Sequence, residues 1–587
     1  MYRMGLHIIV LWVCLLVALF AQEENSLSHK IVIAGEEHFD HAAIEDVLEI
    51  KRPFALAFWK EDTPSIEDRL IPTLVPTLKS FYESEGFYDA VISLKETNAT
   101  VSVYIKENTP VRIESITIES DRDIAPLVEF KEGEIFRAKR FVQIKSHIIE
   151  TLLKEGYCSY DLDTKAYVDL ETHRAKLRYR LKQGELCAFG KSNIVGLESI
   201  EKSVVESRVY AKEGERFDPK KVKETYAAVY GLNAFDGVQI SVDRKFYNVV
   251  PIDITLHEVE HPYHFEGGVG YDTFIGPRIH ASLEKKNFFG NAQKTGIKLS
   301  WSAKEQVAVG EYFKPALFLW QGYGIDYGVK FGHQKLEYKG FVETKDFLNT
   351  YVEHNEGRLK LRMGVALENI EIQAEANLKA YETLTQAISE GTFLLLYPYV
   401  RAVYDARDDT LNPKKGYYLS AYVEYGIDYK PDATSYIKSL LEGRVIYSID
   451  ALTLASVAKV GVIDEKTNTL PESKRFFAGG AYANRAYGFN TIGVISSPRS
   501  DTIFGASTWV NLSFEADYPM REKLYGAVFM DNTMLNKTSY DFRGEVISSA
   551  GVGIRYLTPI GPFKIDVGWN IHKASQYGIS FQIGQSF

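Results

Sequence analysis

The chain has 587 residues, a length that suits about four domains rather than one. With 45% hydrophobic and 25% charged residues it is not a wholly disordered chain, and a net charge of −10 offers no basic field to hold nucleic acid. Aromatic residues are plentiful, with 37 Tyr and 33 Phe, a load suited to sheets and to membrane–water interfaces.

Residues 1–21 have the pattern of a secretory signal peptide. Arg3 gives a positive start, Leu6 to Phe20 is nearly all apolar, and Ala21 is a small residue suited to cleavage. An uncleaved anchor is the alternative. Cys14 is followed by more apolar residues, which fits a lipid-attachment site poorly. No later apolar run reaches the length of about 18 residues that a membrane helix needs. Cys158 and Cys187 either pair as a disulfide, in an exported protein, or stand as two free thiols.

From residue 28 to 259 a unit of roughly 75 residues repeats three times. The expected modules are 28–108, 109–185 and 186–259. Each opens with a short strand (Ile31-Val-Ile33, Ile116-Thr-Ile118, Ser192-Asn-Ile194). A helical stretch then ends in a Gly-aromatic turn, at Gly86-Phe87, at Gly156-Tyr157 and more loosely at Gly231 to Phe235. An alternating strand closes each unit, at Val101 to Ile105, Leu177 to Leu181 and Ile252 to Leu256. Lys131-Glu-Gly-Glu-Ile-Phe136 recurs as Lys212-Glu-Gly-Glu-Arg-Phe217. The pattern predicts three small α+β modules of order β-α-α-β-β.

From 260 to 587 the helical period gives way to short alternating segments separated by turn residues. Leu512, Phe514, Ala516 and Tyr518 share one face, opposite Asn511, Ser513, Glu515 and Asp517. Such dyads predict a transmembrane antiparallel β-barrel of about 16 strands. A soluble sandwich gives the same alternation.

The literal H-E-x-x-H at His257-Glu258-Val259-Glu260-His261 would hold zinc on a helix. Here a strand precedes it and Pro262 follows, and in a strand residues four apart are about 13 Å apart. It is therefore expected to be a polar linker. No nucleophile elbow, Walker loop or dinucleotide fingerprint occurs, so neither an enzyme nor a cofactor is expected. In Asp405-Ala-Arg407-Asp408-Asp409, followed by Pro413 and Gly416, the turn residues predict a tight hairpin. Its charges either pair inside a polar lumen or are solvated. The stretch from Arg475 through Gly479-Gly480 to Arg485-Ala486-Tyr487 is a long Gly-rich loop, of a length usually functional or disordered.

Together with the ending Thr558-Pro559-Ile560-Gly561-Pro562 through Phe587, these motifs resemble the POTRA-bearing outer-membrane assembly superfamily, which includes BamA, TamA and the two-partner-secretion transporters. Three repeats look most like the TamA branch. The resemblance implies a barrel in the bacterial outer membrane with its repeats in the periplasm. It also implies that Arg485, flanked by Tyr487, enters the lumen and pairs with Asp531 of Phe529-Met-Asp531-Asn-Thr533, with Glu515 as second choice. Ala486 and Thr533 stand where the family usually has Gly. A first strand carrying Gly267, Gly268 and Gly270 would meet a last strand carrying Phe581 and Phe587 at a seam that opens sideways to clients. The alternative reading of these glycines is that they relieve crowding at a bend. Implied partners are unfolded outer-membrane clients, a TamB-like protein anchored in the inner membrane, and outer-membrane lipid. The alternatives are a BamA-type assembly core, a two-partner-secretion transporter and, from another class, a passive porin.

Overall fold

Three small sheets and one large one organise the chain. The computed structural model describes residues 28–583, apart from 51–63, 98–99, 243–247, 273–275, 375–389, 430–434, 467–469, 495–502, 522, 559–560 and 574. The expected signal segment and Phe587 lie outside the described residues. No helix among the described residues is long and apolar enough to cross a membrane.

The first module holds β1 (Ser28–Ala34), α1 (His41–Val47), β2 (Ser65–Glu67), α2 (Leu74–Ser84), β3 (Val91–Glu96) and β4 (Thr100–Lys106), with strand order β2-β1-β4-β3. Leu74, Leu78 and Tyr82 recur every four residues, so α2 presents one apolar stripe. The stripe shares a core with Ile31, Ile33, Val101, Val103 and Ile105 of the sheet. The second module repeats the plan with β5 (Arg112–Ser120), α3 (Ala138–Lys154), β6 (Asp161–Asp169) and β7 (Arg174–Lys182). Ile144, Ile148 and Leu152 form its stripe. The third holds β8 (Ala188–Val195), α4 (Lys202–Glu206), α5 (Pro219–Tyr230), β9 (Phe235–Val242) and β10 (Val249–Glu258).

The expected β-α-α-β-β order needs two amendments. The first module adds the edge strand β2. In the second, a single 3-10 turn at Ala125–Leu127 replaces the first helix, because Pro126 has no N–H to carry a helix on.

The sequence repeat is a repeat of hydrogen bonds. Gly133 N–H donates to Ile113 O and Gly214 N–H to Phe189 O, both at 2.8 Å. Phe136 N–H reaches Val111 O at 2.9 Å and Phe217 N–H reaches Cys187 O at 2.8 Å. Gly133 and Gly214 sit at φ 83° and 81°, the left-handed region that the turn requires. The Gly-aromatic turns receive the next segment: Val111 N–H donates to Gly86 O (2.8 Å) and Cys187 N–H to Gly156 O (2.9 Å). Cys158 and Cys187 are disulfide-bonded, with Cα atoms 5.8 Å apart, which decides between the two readings left open above.

A carboxylate closes the first and third modules in the same way. Glu107 Oε1 accepts the backbone N–H of Glu37 (3.0 Å) and of His38 (3.3 Å), and the Tyr82 hydroxyl (3.1 Å). Glu258 Oε1 accepts the N–H groups of Glu198 (2.9 Å), Ser199 (3.0 Å) and Ile200 (3.0 Å).

The chain divides into two units. One runs to Gly190 and includes Glu213–Pro219 and Asp243–Pro251; the other takes the rest of the third module and the large sheet. That sheet is an antiparallel meander of sixteen strands in sequence order. They are β11 (Tyr263–Asp272), β12 (Gly276–Lys285), β13 (Lys294–Ser302), β14 (Glu305–Trp320), β15 (Tyr323–Glu337), β16 (Phe341–Glu356), β17 (Leu359–Ala374) and β18 (Gly391–Asp405), followed by β19 (Gly416–Asp428), β20 (Ser435–Ile449), β21 (Leu452–Glu465), β22 (Thr508–Arg521), β23 (Leu524–Asn536), β24 (Val546–Thr558), β25 (Gly561–Asn570) and β26 (Tyr577–Ile583).

Its polarity is inside out. Phe514, Tyr518, Val528, Val552 and Ile554 are exposed, while Asn511, Glu515, Asp531, Arg555 and Asp566 are buried. A soluble sandwich buries the opposite face, so the alternation belongs to a lipid-facing barrel.

Within the second unit the third module is tied to barrel turns. Arg208 Nη2 lies 2.5 Å from Asp326 Oδ1, and both side chains are buried. The same oxygen accepts the N–H of Ala316 (2.9 Å), which sits at φ 48° in a bulge of β14. Tyr210 hydroxyl donates to Asn355 O (2.8 Å), and Lys212 Nζ to Gly322 O (2.9 Å).

Burial alone would raise the carboxyl pKa of Glu107 and Glu258. The donors around each outweigh it, so both lie below the ordinary glutamate value. A carboxyl depressed in the folded state stabilises above its unfolded pKa, about 4.3. That contribution is lost as the pH falls through the folded value. The amides of residues 37–38 and 198–200 should therefore lose hydrogen-exchange protection, corrected for intrinsic rates, below about pH 4.3. At neutral pH, Glu107→Gln should cost the first pair about 1–3 kcal/mol of protection and leave the second unchanged.

Candidate functional site

Strand parity fixes where the long loop starts. β11 leaves the third module, and the turns after β14 and β16 touch that module through Lys212 and Tyr210. Odd-numbered strands of the meander therefore run away from the Tyr210–Lys212 segment of the third module, and the connection from β21 to β22 lies at the far end from it. From there the loop folds back into the barrel interior.

Arg485, at its tip, is buried. Its Nε donates to Asp531 Oδ2 and its Nη2 to Asp531 Oδ1, both at 2.9 Å, and its own backbone N–H reaches Oδ2 at 3.0 Å. Nη1 pairs with Glu515 and lies 3.6 Å from Asp566. The guanidinium covers the Phe529 ring, 3.4 Å from its centroid. Arg555 completes the network, reaching Glu515 at 2.9 Å and Asp566 at 2.5 Å, and Lys564 Nζ stands 3.7 Å from Glu515. Three cations thus face the carboxylates of Glu515, Asp531 and Asp566. Buried charges in this number persist only when paired.

Backbone shape matters as much as charge. A Cβ on Gly578 of β26 would lie 2.6 Å from Arg485 O, and one on Gly568 of β25 would lie 3.0 Å from Arg485 C. The two glycines form the floor on which the loop tip rests. Asn484 donates to Ile547 O at 3.1 Å and accepts from Ser549. Tyr487 hydroxyl accepts from Asn570 Nδ2 at 2.7 Å.

The two departures from the family pattern are accommodated. Gly479 and Gly480 supply the left-handed turn at φ 104° and 89°, and Ala486 is outside that region, so a Cβ there is tolerated. Gln576 Nε2 donates to Ala486 O at 2.9 Å. Thr533 points inward and donates to Asn511 Oδ1 at 2.8 Å.

The sequence thus places Arg485, Asp531 and Glu515 together, with Tyr487 beside them. It does not single out Arg555, Lys564, Asp566 or Asn484. For Arg555, Lys564 and Asp566 an inward position in an alternating strand was the available signal; Asn484 lies in the loop and had none.

The hairpin motif forms a site apart. Arg407 donates to Asp405 through Nε (2.9 Å) and Nη2 (2.7 Å), and its guanidinium covers Tyr418. Asp408 Oδ1 accepts the N–H groups of Asp409 and Lys414 (3.0 Å each) and Lys415 (3.2 Å). Pro413 is buried, and Gly416, at φ 117°, packs its α-carbon against Ala406. These charges organise their own turn. In the H-E-x-x-H segment, Glu258 ends a strand and its carboxylate is held by three amides, so the helical spacing a zinc ligand pair needs is absent.

The expected seam strands have an unusual status. Gly267, Gly268 and Gly270 lie in β11, fully paired with β12, and Phe581 lies in β26, 4.5 Å from the Phe563 ring of β25. Among the described residues β11 and β26 have one partner strand each. Gly267 to Gly270 and Phe581 are therefore not brought together across a closed seam.

Comparison with known proteins gives a concordant picture. The Omp85 superfamily domain matches residues 287–587. The outer membrane protein assembly factor BamA of Nitratidesulfovibrio vulgaris is 19% identical over 603 residues, covering 96% of this chain and 74% of that protein. The same-named factor of Neisseria meningitidis serogroup B is 20% identical, covering 86% and 72%. The crystal structure of BamA from Haemophilus ducreyi lacking POTRA domains 1–3 superposes with a TM-score of 0.53 at 16% identity, over 81% of this chain and 100% of that one, which is a likeness of fold.

Two substitutions separate charge from shape at the loop tip. Arg485→Ala should unseat the tip at a cost of about 3–5 kcal/mol, by leaving the buried Asp531 without its cation, while Glu515 keeps Arg555 and Lys564. Gly578→Val should unseat it with every charge intact. Both should raise single-channel conductance in planar bilayers, whereas the outward change Ile579→Val should leave it at the parental level.

Proposed function

The chain belongs to the Omp85 superfamily, and from that premise we propose that it inserts or exports β-barrel or autotransporter-type clients through a lateral seam between β11 and β26. The barrel lies in the bacterial outer membrane and the N-terminal modules in the periplasm. The observation that carries the proposal is that, among the described residues, each of the two end strands has a single partner, in a sheet whose outer face is apolar. A strand edge in lipid has backbone groups that need partners, and a client strand supplies them by main-chain hydrogen bonds. The glycines of β11 weaken that strand's hold on any neighbour, which favours exchange.

Within the superfamily, we infer a TamA-like role. Its support is the count of three modules, taken as 28–108, 109–185 and 186–259 ahead of a barrel at 260–587. The partner of that role is a TamB-like protein anchored in the inner membrane. In this reading Arg485, Asp531 and Glu515 hold the loop in the lumen, so the barrel is not an open porin. The hairpin of Asp405, Arg407, Asp408, Pro413 and Gly416 stiffens a turn on the module side.

The seam is tested by pairing a cysteine at Gly268 with cysteines placed singly along β26. Oxidised pairs should abolish assembly of client barrels, and reduction should restore it. Normal assembly by the locked protein would rule out lateral opening. Crosslinking along the modules should capture one large inner-membrane-anchored partner. A general loss of outer-membrane barrels on depletion, with no such partner, would indicate a BamA-type core instead.

A further inference from the structure

The loop that carries Arg485 is held at its base as well as at its tip. Lys474 ends a short 3-10 turn, Glu472–Lys474, soon after β21. Its Nζ lies 2.6 Å from Glu368 Oε2 on β17, 3.8 Å from Glu424 Oε1 on β19 and 4.0 Å from the ring centroid of Tyr397 on β18. Tyr397 hydroxyl donates to Glu368 Oε1 at 2.7 Å, and Tyr436 hydroxyl, on β20, donates to Glu424 Oε1 at 3.0 Å. Lys438, also on β20, donates to the Lys474 carbonyl at 2.7 Å. One lysine therefore gathers four consecutive strands.

The neck of the loop is stitched separately. Arg475 lies 2.6 Å from Glu465 at the end of β21, and its Nη1 donates to Ser507 Oγ at 2.9 Å just before β22. Glu472 accepts the N–H of Gly505 at 2.8 Å. None of these groups touches the Arg485 network, whose carboxylates stand on β22, β23 and β25. The two charge clusters share no residue and hold different stretches of wall.

We propose that Lys474 is a positioning residue, a second lock that fixes the base of the loop to β17–β20 independently of the Arg485 tip. Releasing Arg485 then frees the tip alone, and the base continues to occupy the lumen. A loop held at both places braces the middle of the wall against the strands next to the seam. The inference concerns the resting barrel and holds whatever client the protein assembles.

The test uses the purified full-length protein in planar bilayers and in detergent. Ser473 has a buried hydroxyl, so Ser473→Cys in a Cys14→Ser background reports on the base through its rate of maleimide labelling; Cys158 and Cys187, bonded to each other, do not react. In the parent and in Arg485→Ala the cysteine at 473 should label slowly, and in Lys474→Met quickly. Lys474→Arg keeps the charge and should label as slowly as the parent. The conductance of Lys474→Met/Arg485→Ala should exceed that of either single variant by about threefold or more. If Lys474→Met fails to insert, the exchanged pair Lys474→Glu/Glu368→Lys carries the test and should restore slow labelling. Fast labelling in the parent, or Arg485→Ala alone conducting as much as the double variant, would overturn the proposal.

Discussion

A wall that faces lipid must turn its charges inward, and the rest of this structure follows from that constraint. Lipid offers no partner for a carboxylate or for a free backbone group. Each alternating strand of the barrel therefore sends Glu515, Asp531, Asp566 and their like to the interior and leaves Phe514, Val528 and Ile554 outside. A lumen crowded with carboxylates then needs cations. The wall supplies Arg555 and Lys564, and the loop brings Arg485. The plug is thus the electrostatic complement of the wall that encloses it, and the loop is as much a part of the interior as the strands are.

The modules obey a different logic, that of small soluble domains. The first two each lay one helical stripe of about one apolar residue per turn on a short sheet. What distinguishes them is how they are joined. The Gly-aromatic turn that ends one helix also accepts a hydrogen bond from the start of the next segment, at Gly86 and again at Gly156. The repeat therefore encodes the joints as well as the modules, and at the second joint the Cys158–Cys187 bond reinforces it.

Most of the fold was legible in the sequence because it rests on local periods. A period of two marks the barrel strands, and a repeated Lys-Glu-Gly-Glu marks the same three hydrogen bonds in two modules. The Arg485–Asp531 pair was legible only through resemblance, since no local pattern links residues 46 positions apart. Lys474 was not legible at all. It lies in an irregular segment, and its partners Glu368 and Glu424 are inward residues on strands that look like their neighbours. The H-E-x-x-H segment was read as no zinc site, but the job of Glu258 was not legible: it serves a backbone turn that only the fold brings near, as Glu107 does in the first module. The second module's missing helix had a local signal in Pro126, outweighed by the expectation that repeats match.

Gly578 gives the last strand two roles at once. Among the described residues β26, like β11, has one partner strand, and its Gly578 is also part of the floor under the Arg485 backbone. Its position therefore enters two equilibria, edge pairing and loop seating. Thermodynamic linkage makes their coupling reciprocal: whatever factor a displaced β26 gains from an incoming strand when the loop is out, the loop loses in affinity for its seat when that strand is in. In the proposed lateral opening, the seam and the plug would need no separate signal to inform each other, because one glycine-bearing strand takes part in both.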